Sequence, residues 1–250
     1  MKFSYDHTAL HPNRAVSSRD TMVWPGAEEQ YFQLGERAID LVQLAADLCD
    51  KPHLPKILDL PCGYGRVLRW LRAKYPASEI TACDLERAGV DFCRQQFGAV
   101  GVYSEPDLRN LKFDSPFDLV WCGSLLTHLP VSSWPSTIDA LLAFVVDCGI
   151  LVFSTQGRFF STLLARGEGD FAENVDTERL LEAYRRDGAA FEPYYERADG
   201  AYGLAVSSPK FLAEILQSRP DVILRAYLEE AWGIQDVVIL YKRQGHHHAH

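Results

Sequence analysis

The stretch Ile57-Leu58-Asp59-Leu60-Pro61-Cys62-Gly63-Tyr64-Gly65-Arg66 decides the fold of this 250-residue chain. Ile57, Leu58 and Leu60 form the apolar run of a strand that is covered on both faces. Gly63 and Gly65 allow a sharp turn and let a ligand approach where no Cβ stands in the way. A helix opening at Arg66 would direct its unpaired N–H groups toward this turn. This order of elements is typical of nucleotide-cofactor sites in doubly wound α/β sheets.

A second apolar strand, residues 80–84, ends in an acid. Asp84 lies close to the spacing, about 20 residues on, at which an acidic side chain binds the ribose hydroxyls of a cofactor. The dinucleotide fingerprint also needs a third glycine three residues after the second, and Leu68 occupies that position. The pattern therefore disfavours a nicotinamide or flavin dinucleotide.

The first stretch resembles the first motif of class I S-adenosylmethionine-dependent methyltransferases, which is an acid followed by three glycines at alternate positions. Asp59, Gly63 and Gly65 match this motif, while Pro61 stands at the first glycine and offers no N–H to a ligand. The Leu-Pro-Cys-Gly-Tyr-Gly-Arg sequence resembles a bacterial branch of the family. The resemblance extends from about residue 24 to residue 242.

The resemblance implies an α/β fold, a doubly wound Rossmann-like sheet of seven strands in the order 3-2-1-4-5-7-6 with strand seven antiparallel. The apolar runs predict seven strands, at residues 57–60, 80–84, 99–104, 117–123, 149–155, 222–228 and 235–241. The short link between the last two strands predicts an antiparallel hairpin, because a parallel return needs a crossover. Helices are predicted over 28–49, 66–75 and 87–97, and from Pro135 and Pro209 onward.

The domain organisation expected is a single methyltransferase domain over residues 1–250. Residues 1–53 form an N-terminal helical segment, and residues 54–156 and 207–243 form the core. Residues 157–206 do not fit the repeating unit and carry many aromatic residues, so we interpret them as an inserted substrate lid with one helix near residues 177–186. The His-rich tail, residues 244–250, is excluded from the fold and is not interpreted as a metal site.

The resemblance also implies which residues contact S-adenosylmethionine. Asp59 would face the ammonium group of the methionine part, and Asp84 would bind both ribose hydroxyls. Glu105 or Asp107 would accept the exocyclic amine of the adenine ring. The other residues expected at the cofactor are Tyr31, Pro61, Cys62, Gly63, Gly65, Leu85, Cys122 and Gly123.

Methyl transfer from a sulfonium is an in-line displacement, so the protein mainly has to align donor and acceptor and exclude water. An acceptor oxygen or nitrogen can need a base to remove its proton. His128 follows the fourth predicted strand and titrates near neutral pH, which makes it the candidate catalytic base.

The composition limits the kinds of partner that the protein is expected to bind. A net charge of −9 and a pI near 5.4 argue against nucleic acid, which usually needs a basic face. Arg66, Arg69, Arg72 and Lys74 are interpreted as a solvated helix face. Six scattered cysteines without metal-ligand spacing indicate a reducing cytosol and no metal site. No stretch has the length and apolarity of a signal peptide or a membrane span, so a cytoplasmic location is expected.

Three functions remain open. The first is an S-adenosylmethionine-dependent methyltransferase acting on a small organic or glycosyl-type acceptor, because the insertion is rich in aromatic residues. The second is a non-catalytic S-adenosylmethionine-binding partner subunit. The third is a dinucleotide-dependent oxidoreductase, which the absent third glycine disfavours.

Overall fold

The computed structural model describes residues 4–168, 173–196 and 200–245. Its helices are α1 (Glu28–Leu48), α2 (Leu68–Lys74), α3 (Arg87–Phe97), α4 (Trp134–Ala143), α5 (Arg158–Ala165), α6 (Thr177–Asp187) and α7 (Pro209–Gln217). Its strands are β1 (Lys56–Asp59), β2 (Glu79–Asp84), β3 (Val100–Tyr103), β4 (Phe117–Cys122), β5 (Val145–Thr155), β6 (Ala189–Pro193), β7 (Gly203–Ser207), β8 (Val222–Trp232) and β9 (Gln235–Lys242).

The main sheet has the order β3-β2-β1-β4-β5-β9-β8. Strands β1 to β5 pair in parallel, whereas β9 runs antiparallel to both β5 and β8. The predicted order is therefore confirmed, with β8 and β9 as strands six and seven. Because the chain winds outward in both directions from β1, a crevice opens at the carboxyl ends of β1 and β4.

Helices cover both faces of this sheet, and alternate residues of β1 enter two different cores. Ile57 packs in a cluster with residues of α1, α2 and α3. Leu58 packs on the opposite face, in a cluster with residues of α4 and α7. Both side chains are fully buried, which explains why the first strand is continuously apolar.

The glycine turn delays the start of α2. The helix begins at Leu68, two residues later than predicted, because residues 62–67 first form a turn in which Gly65 N–H donates to the carbonyl of Cys62 at 2.9 Å. In contrast, α3 ends at Gly98 as predicted, with a left-handed φ of 62° at that residue.

The region between β5 and α7 contains more structure than the single helix predicted there. Besides α6 it holds α5 and an antiparallel hairpin of β6 and β7. These elements share a third core that includes Phe160, Leu180 and Val206. Residues 169–172, 197–199 and the tail residues 246–250 lie outside the described residues.

Within the described ranges, every helix is too short or too polar to span a lipid bilayer.

Candidate functional site

A cavity of about 890 Å³ lies at the carboxyl ends of β1, β2 and β4. Its size falls within the range of small-molecule sites. Its walls include five residues predicted at the cofactor, namely Pro61, Asp84, Leu85, Glu105 and Asp107. Residues from the loop after β4 and from the start of α4 form another wall, and Ala201 and Tyr202 of the insertion contribute to the lining.

The Asp84 carboxylate is fixed at the rim of this cavity by two backbone groups. Its Oδ2 accepts a hydrogen bond from Gly63 N–H at 2.7 Å, and its Oδ1 accepts one from Glu86 N–H at 2.8 Å. Burial raises the pKa of Asp84, while these two hydrogen bonds oppose that shift. The carboxylate therefore holds one orientation and keeps lone pairs for a ligand.

The two glycines of the turn have different roles. Both adopt left-handed backbone angles, with φ of 50° at Gly63 and 78° at Gly65. A Cβ on Gly65 would lie 2.5 Å from the ring of Phe97, so α3 packs where a side chain would stand. A Cβ on Gly63 would meet nothing within 4 Å. Gly65 thus serves helix packing, and Gly63 leaves open space beside the turn.

Gly89 of α3 packs against the glycine turn, a role that was not predicted from the sequence. A Cβ at this position of α3 would lie 2.5 Å from the carbonyl oxygen of Gly63. Its absence lets α3 approach the turn closely. A glycine inside an amphipathic helix lowers the stability of that helix. A glycine in the predicted helix 87–97 was therefore the available sign of a packing role at this position.

Asp59 is buried directly behind the turn, with 1% of its surface exposed. Its Oδ2 has no hydrogen-bond partner among the described residues. Burial raises the pKa of Asp59 well above its usual value, and the nearby Asp84 carboxylate adds to the shift. The carboxylate accepts a hydrogen bond from the backbone N–H of Leu68, which opposes this shift. A buried carboxylate oxygen without a partner is unfavourable, so this position fits a cationic ligand group.

Arg69 on α2 does not belong to the solvated helix face that is expected from the sequence. Arg69 is 1% exposed, and its guanidinium donates to the carbonyls of Gly65, Asn13 and Ala15 at 2.8 to 3.1 Å. It also donates to the hydroxyl of Tyr31 at 3.2 Å. Arg69 therefore joins the N-terminal segment to the glycine turn. The prediction failed because its partners lie up to 56 residues away in the sequence.

The other residues predicted at the cofactor do not line the cavity, and these are Tyr31, Asp59, Cys62, Gly63, Gly65, Cys122 and Gly123. Tyr31 is 3% exposed, and its hydroxyl accepts the bond from Arg69. Cys62 and Cys122 are buried at the ends of β1 and β4, and a Cβ on Gly123 would lie 2.8 Å from the ring of Trp232. Their contact with a cofactor stays a prediction.

The two acids predicted for the adenine ring differ in their availability. Asp107 forms a double hydrogen bond with Arg109, at 2.9 Å and 2.7 Å, and this partner lowers the pKa of Asp107 to about 2. Within the described structure, the carboxylate of Glu105 forms no ion pair of this kind. Glu105 is therefore the acid of the two that is free to bind a ligand amine.

His128 lies in the loop after β4 and is held by the β6–β7 hairpin. Its Nδ1 is 3.0 Å from the carbonyl oxygen of Gly203 and 3.1 Å from the hydroxyl of Tyr194. A carbonyl can only accept, so the neutral ring carries its proton on Nδ1 and its lone pair on Nε2. Burial lowers the pKa of His128, and the bond to Gly203 opposes this shift. The ring is thus a neutral base at pH 7.

Sequence reasoning missed the residues that hold His128. The ring of Tyr202 stacks on the imidazole with centroids 4.8 Å apart and an interplanar angle of 19°. Tyr202 also lines the cavity, although His128 itself does not. The signal available was the group of tyrosines in the insertion, whose partner in another loop could not be identified from sequence.

A polar cluster fixes the beginning of the loop after β4. Ser124 has a φ of 59°, an uncommon value for a residue with a side chain. Its N–H donates to Ser154 Oγ at 2.8 Å, and its hydroxyl accepts from Gln235 Nε2 at 2.8 Å. Ser154 in turn donates to Gln235 Oε1 at 2.6 Å. Because Ser124 lines the cavity, this cluster fixes part of the cavity wall that the loop after β4 forms.

Comparison with known proteins agrees with this geometry. Residues 57–149 match a family model described as a methyltransferase domain. The chain is 30% identical over 175 residues to trans-aconitate 2-methyltransferase of Streptomyces coelicolor, covering 66% of this chain and 56% of that protein. It is 29% identical over 137 residues to malonyl-[acyl-carrier protein] O-methyltransferase of Acetivibrio thermocellus, covering 54% of this chain and 47% of that protein. The chain thus spans about half the length of these curated relatives.

A solved structure with a similar fold contains the demethylated cofactor. Magnesium protoporphyrin IX methyltransferase of Synechocystis PCC 6803, crystallised with S-adenosylhomocysteine, superposes with a TM-score of 0.55 at 12% identity. The alignment covers 88% of this chain and 89% of that one. At this identity the likeness concerns the fold.

Proposed function

Because residues 57–149 form a methyltransferase domain and the chain has the class I methyltransferase fold, we propose that this protein binds S-adenosylmethionine and methylates a small-molecule acceptor. The observation that carries the proposal is the cavity at the ends of β1, β2 and β4, with the Asp84 carboxylate fixed at its rim. The absent third glycine supports this cofactor over a dinucleotide.

The residues present fit the parts of this cofactor. Asp84 would bind the ribose hydroxyls, since its carboxylate is oriented by Gly63 and Glu86. Glu105 would accept the exocyclic amine of adenine. The Asp59 carboxylate, which lacks a partner for Oδ2 among the described residues, would bind the ammonium group. When bound, the cofactor supplies an activated methyl group on a sulfonium.

The role of the chain is then to hold the reactants in line and to exclude water. Asp84, which is bonded to the turn at Gly63, and Ser124, which is bonded to Ser154, both line the cavity. His128 would accept the acceptor's proton at Nε2, while Nδ1–H remains bonded to the carbonyl of Gly203. The low pKa of His128 favours this role, because the ring is uncharged before the reaction at neutral pH.

We further propose that residues 157–206 form a lid over the acceptor. Ala201 and Tyr202 line the cavity from this insertion, and the hairpin holds His128. A small organic or glycosyl-type acceptor fits such an aromatic wall. The net charge of −9 supports a protein that does not bind nucleic acid, and a cytoplasmic location accords with its free cysteines.

A calorimetric titration with four cofactors tests the binding part of the proposal. We expect S-adenosylmethionine and S-adenosylhomocysteine to bind with one site per chain, and NAD⁺ and FAD to give no heat. Binding of a dinucleotide alone would favour the oxidoreductase alternative and contradict the proposal.

A screen with methyl-labelled S-adenosylmethionine and a panel of hydroxyl, amine and carboxyl acceptors tests the catalytic part. Transfer of label to a small acceptor is expected. Tight cofactor binding without transfer to any acceptor class would favour the non-catalytic partner subunit.

A further inference from the structure

The cavity has a negatively charged side, which is formed by the loops after β2 and β3. Asp84 and Glu86 belong to the end of β2 and the loop after it, and Glu105 and Asp107 belong to the loop after β3. All four acidic residues line the cavity. The cation among the described lining residues is Arg109, whose guanidinium is already bound to Asp107 at 2.9 Å and 2.7 Å. This side therefore attracts hydrogen-bond donors and repels anions.

The other side of the cavity is uncharged, and it is formed by the loop after β4 and by the insertion. In the sheet, β1 separates β2 from β4, so the ends of these two strands lie about 10 Å apart. The lining residues of this side include Ser124, Leu125, Leu129, Pro130, Ala201 and Tyr202. Among the described residues, the lining of this side contains no arginine or lysine. A carboxylate buried here would lack a cationic partner, which makes its binding unfavourable.

Tyr202 gives the uncharged side an aromatic surface. Its ring stacks on the imidazole of His128 with centroids 4.8 Å apart, and 37% of the residue stays exposed. Because Tyr202 also lines the cavity, a planar ring of a ligand can pack beside it. Leu125 and Leu129 add apolar lining to the same side. These surfaces fit a planar aromatic acceptor.

The neutral state of His128 indicates which acceptor group needs this residue. A carboxylic acid has a pKa of about 4 and is already ionised at neutral pH, so it needs no base. A phenol has a pKa of about 10 and keeps its proton at neutral pH. The proton of His128 lies on Nδ1, which is bonded to the carbonyl of Gly203, so the lone pair on Nε2 is available. A neutral base suits a phenol better than an aliphatic hydroxyl, because the aliphatic group is much less acidic.

We infer that the acceptor is an uncharged phenol, whose ring packs beside Tyr202 and whose hydroxyl gives its proton to Nε2 of His128. This inference rests on the proposed function, because it names the acceptor class of the same site. The phenol oxygen forms a bond to the methyl carbon while its O–H bond breaks and the proton moves to Nε2. The bond between the methyl carbon and sulfur breaks, and its electron pair stays on sulfur. The products are an aryl methyl ether, S-adenosylhomocysteine and the imidazolium of His128.

Two aromatic probes that differ in one group test the inference on the wild-type protein. 2-Naphthol has a phenolic hydroxyl, and 2-naphthoate has a carboxylate on the same ring system. We titrate each probe into the protein saturated with S-adenosylhomocysteine. Calorimetry should show that 2-naphthol binds at least about 10-fold more tightly than 2-naphthoate, because the carboxylate would be buried without a partner.

Methyl transfer gives the second readout. With methyl-labelled S-adenosylmethionine, we expect label to move to 2-naphthol and to give its methyl ether. No label should move to 2-naphthoate or to trans-aconitate, the carboxylate-bearing compound in the name of one curated relative.

Variants of two tyrosines locate the bound ring. Tyr202→Ala should lower the affinity for 2-naphthol about 10-fold, because an aromatic contact is lost. Tyr202→Phe keeps the ring and should retain the affinity to within about 2-fold. Tyr195→Ala is the matched control, because Tyr195 is 68% exposed and does not line the cavity, and it should bind 2-naphthol as the wild type does. All three variants should bind S-adenosylhomocysteine unchanged.

The inference is overturned if 2-naphthoate binds as tightly as 2-naphthol, or if label moves to either carboxylate probe. It is also overturned if the protein binds S-adenosylhomocysteine but neither binds nor methylates 2-naphthol, and in that case the cofactor assignment still stands. If the wild type does not bind S-adenosylhomocysteine, the proposed function itself fails.

Discussion

The carboxylate of Asp84 accepts a hydrogen bond from the backbone N–H of Gly63 at 2.7 Å, so the end of β2 fixes the turn that follows β1. One side chain thereby connects the two features on which the cofactor assignment depends. The same carboxylate also accepts from Glu86 N–H, which begins the connection to α3. Its remaining lone pairs are available at the rim of the cavity.

Replacing Asp84 should therefore affect both binding and stability. For Asp84→Ala we expect the affinity for S-adenosylhomocysteine to fall at least about 10-fold and the free energy of unfolding to fall by about 1 to 3 kcal/mol, because two backbone donors lose their acceptor. Calorimetry and urea denaturation measure the two effects. Asp114→Ala, at an exposed position, is the control and should change neither. Unchanged affinity in Asp84→Ala would remove this residue from the site.

Replacing Asp59 should raise the stability of the protein, whereas replacing Asp84 should lower it. Its pKa is raised in the folded protein above the unfolded value of about 3.9, so the folded state binds more protons between the two values and loses stability as pH rises through the folded pKa. Asp59→Asn removes this loss. We expect the variant to unfold at higher urea concentration than wild type at pH 8, and to bind S-adenosylhomocysteine more weakly. A less stable variant at pH 8 would contradict this prediction and would mean that the hydrogen bond from Leu68 N–H outweighs the cost of burying the charge.

Replacing each of the two glycines of the turn by alanine should lower the folding stability by a different amount. Gly65→Ala combines a φ of 78° with a Cβ only 2.5 Å from the Phe97 ring, so it should cost about 3 kcal/mol of folding free energy. Gly63→Ala has a φ of 50° and open space, so it should cost about 1 kcal/mol. Urea denaturation of both variants tests the order, and a larger cost at Gly63 would contradict the packing role assigned to Gly65.

Arg69 should control the attachment of the N-terminal segment. Arg69→Met keeps the apolar part of the side chain but leaves the carbonyls of Asn13, Ala15 and Gly65 without their donor, which should cost about 3 kcal/mol. Limited proteolysis should then cleave within residues 4–24 much faster than in wild type. Arg94→Met, whose guanidinium pairs with Asp91 on the surface, is the matched control. Equal cleavage rates in the two variants would show that Arg69 does not anchor the segment.

The assignment of His128 as the base can be tested without knowing the acceptor, from the position of its proton and from the pH dependence of stability. Its neutral ring should carry the proton on Nδ1, which nitrogen-15 chemical shifts report directly. Its lowered pKa means that the unfolded state binds more protons, so stability falls as pH drops from about 6.5 through the folded value. His128→Asn should flatten this part of the stability profile, whereas His53→Asn, at an exposed position, should not. A proton on Nε2 would contradict the assignment.

Turnover gives the second test of His128. With the acceptor that the screen identifies, His128→Ala should lower kcat by about 100-fold, as expected for loss of a general base. Its affinity for S-adenosylhomocysteine should stay the same, because His128 is assigned to the acceptor, whereas Asp59, Asp84 and Glu105 are assigned to the cofactor. Unchanged kcat would remove His128 from the mechanism.

The sheet was predictable because its strands are marked by local patterns. Ile57 and Leu58 enter opposite cores, so β1 has to be apolar throughout. The distance in sequence from the glycine turn to Asp84 is also visible without a structure. The contents of the insertion were harder to predict, because α5 and the β6–β7 hairpin bury their apolar residues mainly against one another.

The missed parts of the site depend on distant contacts. Arg69 is surrounded in sequence by other basic residues, and only folding brings Asn13, Ala15 and Tyr31 to its guanidinium. In the same way, the hairpin residues Tyr194 and Gly203 meet His128 across at least 66 residues of chain. A sequence window shows the residue types, but it does not show which partners will satisfy them.

A crystal structure of the protein with S-adenosylhomocysteine tests the central claim most directly. We predict density for the ligand in the cavity between β1, β2 and β4, with its ribose hydroxyls about 2.6 to 3.0 Å from the Asp84 carboxylate. Density for the ribose elsewhere on the protein, with the Asp84 carboxylate facing no part of the ligand, would contradict the account.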